Sequence, residues 1–293
     1  MSASGSTTGG VVGLVLARPV RLLGAEPFFM EFIGGIEERL AERGMSLLLH
    51  VVTDHEAEID TYRRWTQRQL VDAVAVVNLT VGDRRPAVLA ELGLPAVLVG
   101  AWDDEPTLPA VPTDNDTPVR EALAQLISLG HRRVARVSGP MTLLHTRART
   151  TALVEACRQV GLESPIVLEG DYSHEAGTDR TVELLRRAEP PTAILYDNDV
   201  MAVAGLAAAT GRGVAVPQQL SLVAWDDSTL CRLSSPPLTT MSVDVYQYGV
   251  SVAASLLEHI DGVPVTDRTS PAARFVPRGS TATAPSPHSS ASE

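Results

Sequence analysis

The sequence predicts an α/β protein built as two lobes of parallel sheet and covering helices, and three observations carry that prediction. Short apolar runs alternate with helix-patterned stretches along almost the whole chain. The run Leu220 to Trp225 stops abruptly on two carboxylates, Asp226 and Asp227, as suits a strand buried on both faces of a parallel sheet. The alternation is too long for one sheet, which would need about ten strands, so two sets of βα units of similar size are expected. Ligands of open α/β sheets bind just beyond the carboxyl ends of the strands, which puts Asp226 where a polar ligand belongs.

The first series opens with a strand over Val11 to Ala17. Phe28, Phe29, Phe32, Ile33, Ile36 and Leu40 follow at helical spacing, closed by Gly44. Strands over Leu47 to Val52, Ala73 to Val77 and Ala96 to Gly100 then alternate with a helix through Ile59, Tyr62 and Leu70 and a short one over Pro86 to Leu92. The second series starts after the proline-rich stretch Pro106 to Pro112. Thr117 is expected to cap a helix with Pro118 at its first position and Gly130 beyond its end. Strands over Val134 to Val137, Ile166 to Leu168, Ala193 to Tyr196 and Leu220 to Trp225 alternate with helices. One more strand and a long helix, Tyr248 to Ile260, follow Pro236-Pro237. The ends, 1–10 and 279–293, are small and polar without apolar periodicity and are expected to be disordered.

Composition narrows the function. The net charge of −11 over 293 residues argues against direct nucleic-acid contact, which calls for a basic face. Cys157 and Cys231 lie far apart in apolar stretches and read as free buried thiols of a reducing compartment. No apolar run approaches the roughly 18–20 residues of a membrane span, and Met1 to Gly10 lacks the pattern of a secretory signal, so a cytoplasmic protein is expected.

Three strand ends of the second series carry polar clusters: Ser138-Gly139-Pro140 with Arg147 and Arg149 beyond it, Asp197-Asn198-Asp199, and Asp226-Asp227. If the strands are neighbours, one sheet edge gathers an arginine, an amide and a carboxylate. That set suits a polyol, whose hydroxyls accept from guanidinium, donate to carboxylate and do either with an amide. Tyr172 or Trp225 would supply an aromatic face for the apolar side of a sugar ring. Each residue also has a plainer role open to it. Asn198 and Asp199 stand where a helix N-cap would be, Asp226 and Asp227 where a turn is capped, Arg147 and Arg149 on a solvated helix face, Trp225 in the sheet and Tyr172 on the surface. Catalysis is not expected. Asp226 and Asp227 are adjacent on an extended strand and point to opposite faces, so they do not flank one bond. The histidines show no metal-ligand spacing, and neither a nucleophile elbow nor a phosphate loop is present, so no metal or cofactor is expected.

The blocks Val111-Pro112-Thr113-Asp114-Asn115, Leu126-Ile127-Ser128-Leu129-Gly130-His131-Arg132-Arg133-Val134-Ala135, Pro190-Pro191-Thr192-Ala193-Ile194 and Val216 through Asp226-Asp227 to Thr240 resemble the lactose-repressor (LacI/GalR) family of transcription regulators. The resemblance runs from about Gly10 to Gly262. It implies a periplasmic-binding-protein-like effector domain of two lobes joined by three crossovers, 11–113 with 242–268 and 114–241 with 269–278. It also implies a homodimer, a carbohydrate-like effector held between the lobes, and effector contacts at Arg149, Asn198 and Asp226, with Tyr172 at a position often aromatic. His131 falls in the family's post-helix turn and is expected to be structural. The family reads operator DNA through an N-terminal helix-turn-helix; only about ten residues precede Val11 here, so that reader is expected to be missing from this chain. Ala152 stands where the family usually has glycine and would add a methyl beside the cleft. A solute-binding protein of a sugar transporter shares the fold and is the alternative reading.

Overall fold

The computed structural model describes residues 10–19, 27–100 and 107–285. They form two compact units, one from the chain up to Thr113 with Val245–Pro271, the other from Asp114–Asp244 with the chain from Ala272. The chain thus passes between units three times. Two passages fall slightly later than the sequence suggested. Ser242 still pairs with Arg274 in the second sheet. The Ser270 amide donates to the Pro112 carbonyl and so stays with the first unit.

In chain order the elements of the first unit begin with β1 (Val11–Ala17), α1 (Pro27–Ala41), β2 (Ser46–Val52), α2 (His55–Arg68), β3 (Ala73–Val76), α3 (Arg85–Leu92), β4 (Ala96–Val99) and β5 (Ala110–Val111). The second unit holds α4 (Thr117–Ser128), β6 (Val134–Ser138), α5 (Leu144–Gln159), β7 (Ile166–Glu169), α6 (His174–Leu185), β8 (Ala193–Tyr196), α7 (Asp199–Thr210), β9 (Ser221–Trp225), α8 (Thr229–Leu233) and β10 (Thr239–Ser242). Helix α9 (Val245–Ile260) returns to the first unit and β11 (Arg274–Val276) to the second.

The first sheet runs β2-β1-β3-β4-β5, parallel throughout. Strands β3 and β4 are apolar runs buried along their whole length, as a strand covered on both faces requires. At the edge that logic fails: Leu48 and Leu49 of β2 are each 37% exposed despite the apolar run that contains them. Helix α1 turns Phe29, Phe32 and Ile36 into the core of its own unit, so these three are not available as an interface. It crosses α9 so closely that a β-carbon at Gly35 would overlap the Tyr246 carbonyl, and one at Gly249 the Phe32 carbonyl.

The second sheet runs β11-β10-β9-β8-β6-β7, parallel except for the antiparallel β10–β11 pair. The two- and three-residue strands β5 and β11 carry no periodicity of their own, and the sequence reading missed both. Helix α4 starts one residue earlier than Thr117 as cap would require. Asp116 occupies the N-cap, and the Asp114 carboxylate accepts from the amides of Asp116 and Thr117. Gly130 follows the helix at φ 89°, a left-handed conformation that favours glycine.

The expected disorder of 279–293 is wrong for 279–285; residues 286–293 and 1–9 lie outside the described residues. Ser280 is fully buried beneath the sheet's starting edge. Its hydroxyl donates to the Leu222 carbonyl at 2.6 Å and accepts from the Thr239 amide at 2.7 Å, while its carbonyl accepts from the Leu222 amide. The Ala282 carbonyl accepts from the region of His131 Nε2 and Ser221 Oγ, and the Ala284 amide donates to Leu129. A serine- and threonine-rich segment thus docks by pairing backbone, a route that hydrophobic patterning does not reveal. Ser280→Ala strands two backbone groups and is expected to cost about 2–4 kcal/mol, read by urea unfolding; a cost below about 0.5 kcal/mol would refute this account of the docking.

His131 is buried, bonded to Thr192 Oγ1 (2.9 Å) and Ser221 Oγ (3.0 Å), as a structural residue of the post-helix turn. Burial lowers its pKa from the ordinary 6.5. A lowered folded-state value favours the neutral ring, so this contribution to stability is present above about pH 6.5 and lost as pH falls through that range. Between about pH 7 and about pH 5.5, wild-type protein is expected to lose more stability than His131→Gln, as chemical denaturation at each pH would show.

Candidate functional site

Strand order reverses at β6, which has β7 on one side and β8 on the other. Such switch points open a crevice at the carboxyl ends of the strands. Every residue singled out from the sequence belongs to this second unit, and five of the six converge at that end.

Arg149 lies on α5, nearly buried. Its Nε donates to Asn115 Oδ1 at 2.9 Å, and its guanidinium stacks over the Trp225 ring at 3.8 Å from the centroid. Burial lowers its pKa, opposed by the charges of Asp197 and Asp226 and by Tyr172. Trp225 itself, the last residue of β9, is 5% exposed and sits in the apolar layer between the sheet, α4 and α5. The expectation that it offers a face to a sugar ring is therefore corrected: that face is covered by Arg149, and the indole serves to orient the guanidinium. Ala152 packs in the same layer, so its methyl fills core rather than crowding a cleft.

Asn198 is the N-cap of α7. Its Oδ1 accepts from the Met201 amide at 2.9 Å, and its Nδ2 donates to the Tyr172 carbonyl at 3.1 Å. The plainer role is thus real, and it leaves the second N–H of the amide as what Asn198 can offer a ligand. Asp226 follows β9 half-buried, with its amide donating to the Met241 carbonyl. It adopts φ 69°, as does Tyr172, a conformation costly for residues with a β-carbon. Held strain of this kind gathers at binding sites, and two of the four such non-glycine residues among those described are here.

The Tyr172 hydroxyl lies 2.8 Å from His145 Nε2 and 3.2 Å from Thr146 Oγ1, and burial, then the charge of Asp197, pushes its pKa up. Arg147 does not join the cluster. Two positions from Arg149, it lies about 200° around the helix and is exposed. Sequence reasoning missed the buried pair Arg136–Asp197, whose signal was a charged residue inside the apolar strand Val134 to Val137. A water-sized hollow beside the pair is lined by Arg136, Asp197, Leu195 and Trp225.

The arrangement can donate from Arg149 and Asn198 and accept at Asp226, which is hydroxyl recognition without a scissile-bond pair. Fold and site together define an α/β ligand-binding protein of the periplasmic-binding type. Residues 123–281 match the model of the periplasmic binding protein-like domain. The chain is 30% identical over 243 residues to the transcriptional repressor CytR of Escherichia coli, covering 81% of this chain and 70% of that one. With the regulator CelR of Thermobifida fusca it shares 31% over 255 residues, 86% and 75% of the two chains. The chain belongs to the LacI family of transcriptional regulators. Among solved structures, a LacI family regulator from Bifidobacterium animalis subsp. lactis superposes with a TM-score of 0.85 at 33% identity, covering 94% of this chain and 98% of that one. CelR in complex with cellobiose gives 0.84 at 29%, covering 92% and 84%. Among the described residues, no helix is long and apolar enough to cross a membrane.

Proposed function

We propose that this chain is the effector-sensing, dimerising core of a LacI-type regulator of the cytoplasm, and that a sugar-like metabolite bound at the strand ends of the second unit controls operator binding. The observation that carries the reading is the Arg149 guanidinium, fixed between Asn115 and Trp225 in the electrostatic reach of Asp226. The cellobiose complex of CelR supports the ligand class. The HTH-type relatives support a helix-turn-helix as the operator reader, and the net charge of −11 argues against direct operator contact by this chain. The edge strand β2, with Leu48 and Leu49 exposed, and Met30 at 53% exposure support pairing through the first unit. The ligand acts through its differential affinity for two arrangements of the regulator, a coupling of about 1–3 kcal/mol.

A thermal-shift screen of mono- and disaccharides tests the reading. One sugar is expected to stabilise wild-type protein and Arg147→Ala alike, and to leave Arg149→Ala and Asp226→Ala unshifted. Stabilisation that survives in both of those variants would overturn the site.

A further inference from the structure

Arg136 and Asp197 are not among the groups offered to a ligand in the recognition just described, and their placement is hard to explain as packing. Arg136 stands in β6, opposite Leu195 of β8, and is 2% exposed. It shares the apolar layer of Val134, Leu195, Val223 and Trp225 beneath α4 and α5. Its Nη2 donates to Asp197 Oδ1 at 2.5 Å, and its Nη1 is buried beside the water-sized hollow. Replacing a buried ion pair by apolar residues of similar size is often neutral or stabilising. Stability alone therefore does not account for the pair.

What the pair produces is geometric. The other oxygen of Asp197, Oδ2, accepts from the Gly139 amide at 2.8 Å and so fixes the turn that leaves β6. Gly139 lies directly under the Tyr172 ring, where a β-carbon would overlap it. The Tyr172 carbonyl in turn receives the Asn198 amide, and Asn198 is the residue next to Asp197. The sequence of contacts is closed: Arg136 to Asp197, Asp197 to the Gly139 turn, that turn to Tyr172, Tyr172 to Asn198.

We propose that the Arg136–Asp197 pair is the positioning element of the effector site, holding the Gly139 turn so that the Tyr172 ring and the Asn198 amide keep their places. This rests on the reading of these strand ends as the effector site. The pair touches no ligand; it acts through the residues it holds.

The test places 3-fluorotyrosine at position 172 and compares 19F spectra of wild type, Arg136→Lys and the double variant Arg136→Met/Asp197→Leu, which leaves no unpaired charge. The double variant is expected to remain folded by circular dichroism. Its fluorine resonance is expected to shift and sharpen as the ring gains freedom, while Arg136→Lys keeps the wild-type position. Affinity for cellobiose, used as probe, is expected to fall at least about ten-fold in the double variant, about 1.4 kcal/mol. Should the double variant not fold, Asp197→Asn is read by the same signal. A wild-type resonance in a folded variant lacking the pair would overturn the proposal. If cellobiose fails to bind wild-type protein, that counts against the choice of ligand in the functional reading, and the fluorine comparison decides the positioning role by itself.

Discussion

Replacing Arg85 by methionine is expected to destabilise the first unit by about 3–5 kcal/mol, the range seen when one partner of a buried ion pair is removed. Arg85 is 1% exposed, at the start of α3. Its Nη1 donates to both oxygens of Glu58, at 2.9 and 3.0 Å, and to the Val77 carbonyl, while its Nη2 reaches Asp83 at 2.5 Å and the Asn78 carbonyl at 3.0 Å. Glu58 also accepts from the Tyr62 hydroxyl at 2.5 Å. Burial already raises the Glu58 pKa, and the Arg85 charge is the chief influence opposing it. Without the guanidinium, two buried carboxylates lose their cationic partner, and Glu58 keeps only the Tyr62 hydroxyl and Asp83 only the amides of Thr80 and residue 85. Guanidinium chloride unfolding followed through Trp65, buried on the neighbouring α2, measures the loss. Adding Glu58→Gln to Arg85→Met is expected to recover part of it, since one stranded charge disappears. A single-variant cost below about 1 kcal/mol would show that the network does not hold the loop Asn78 to Arg84 in place.

The second large effect is expected at Arg149. Hydrogen bonds to charged groups contribute about 1.5–3 kcal/mol each, so Arg149→Ala should weaken binding of the sugar found by thermal shift by about 10- to 100-fold. Arg149→Lys is expected to restore little of this. An ammonium has no planar fork to stack on Trp225 while reaching Asn115 Oδ1, and it would sit differently in the same layer. Isothermal titration distinguishes the two, with the Trp225 contribution to fluorescence reporting the change in the ring's cover. Near-wild-type affinity in Arg149→Lys would mean that charge alone matters and that the stacked geometry is incidental.

Much of this molecule can be read from its residues because parallel sheets announce themselves. Apolar runs such as Ala73 to Val76 and Ala193 to Tyr196 are buried throughout, and the polar residues that follow strands β6, β8 and β9 converge because those strands are neighbours. What escaped the sequence shares one physical character: it is held by partners distant in the chain. Ser280 binds the backbone of Leu222 and Thr239, Asp197 binds Arg136, and the face of Trp225 is covered by Arg149, none of which follows from spacing. Arg147 and Arg149 illustrate the converse. Helical geometry alone places them on different faces, and only the three-dimensional layer shows which of the two is covered.

The return of α9 to the first unit has a consequence for how the protein is made. Helix α1 is packed against α9, at a crossing where Gly35 and Gly249 let the two backbones touch. A nascent chain emerging from the ribosome must therefore extend through all of Asp114–Asp244 before that core can close. At elongation rates of about 5–20 residues per second, the delay is on the order of ten seconds. For that interval the apolar side of α1 faces water or a chaperone, and by its end the second unit, encoded between the halves of the first, has five of the six strands of its own sheet.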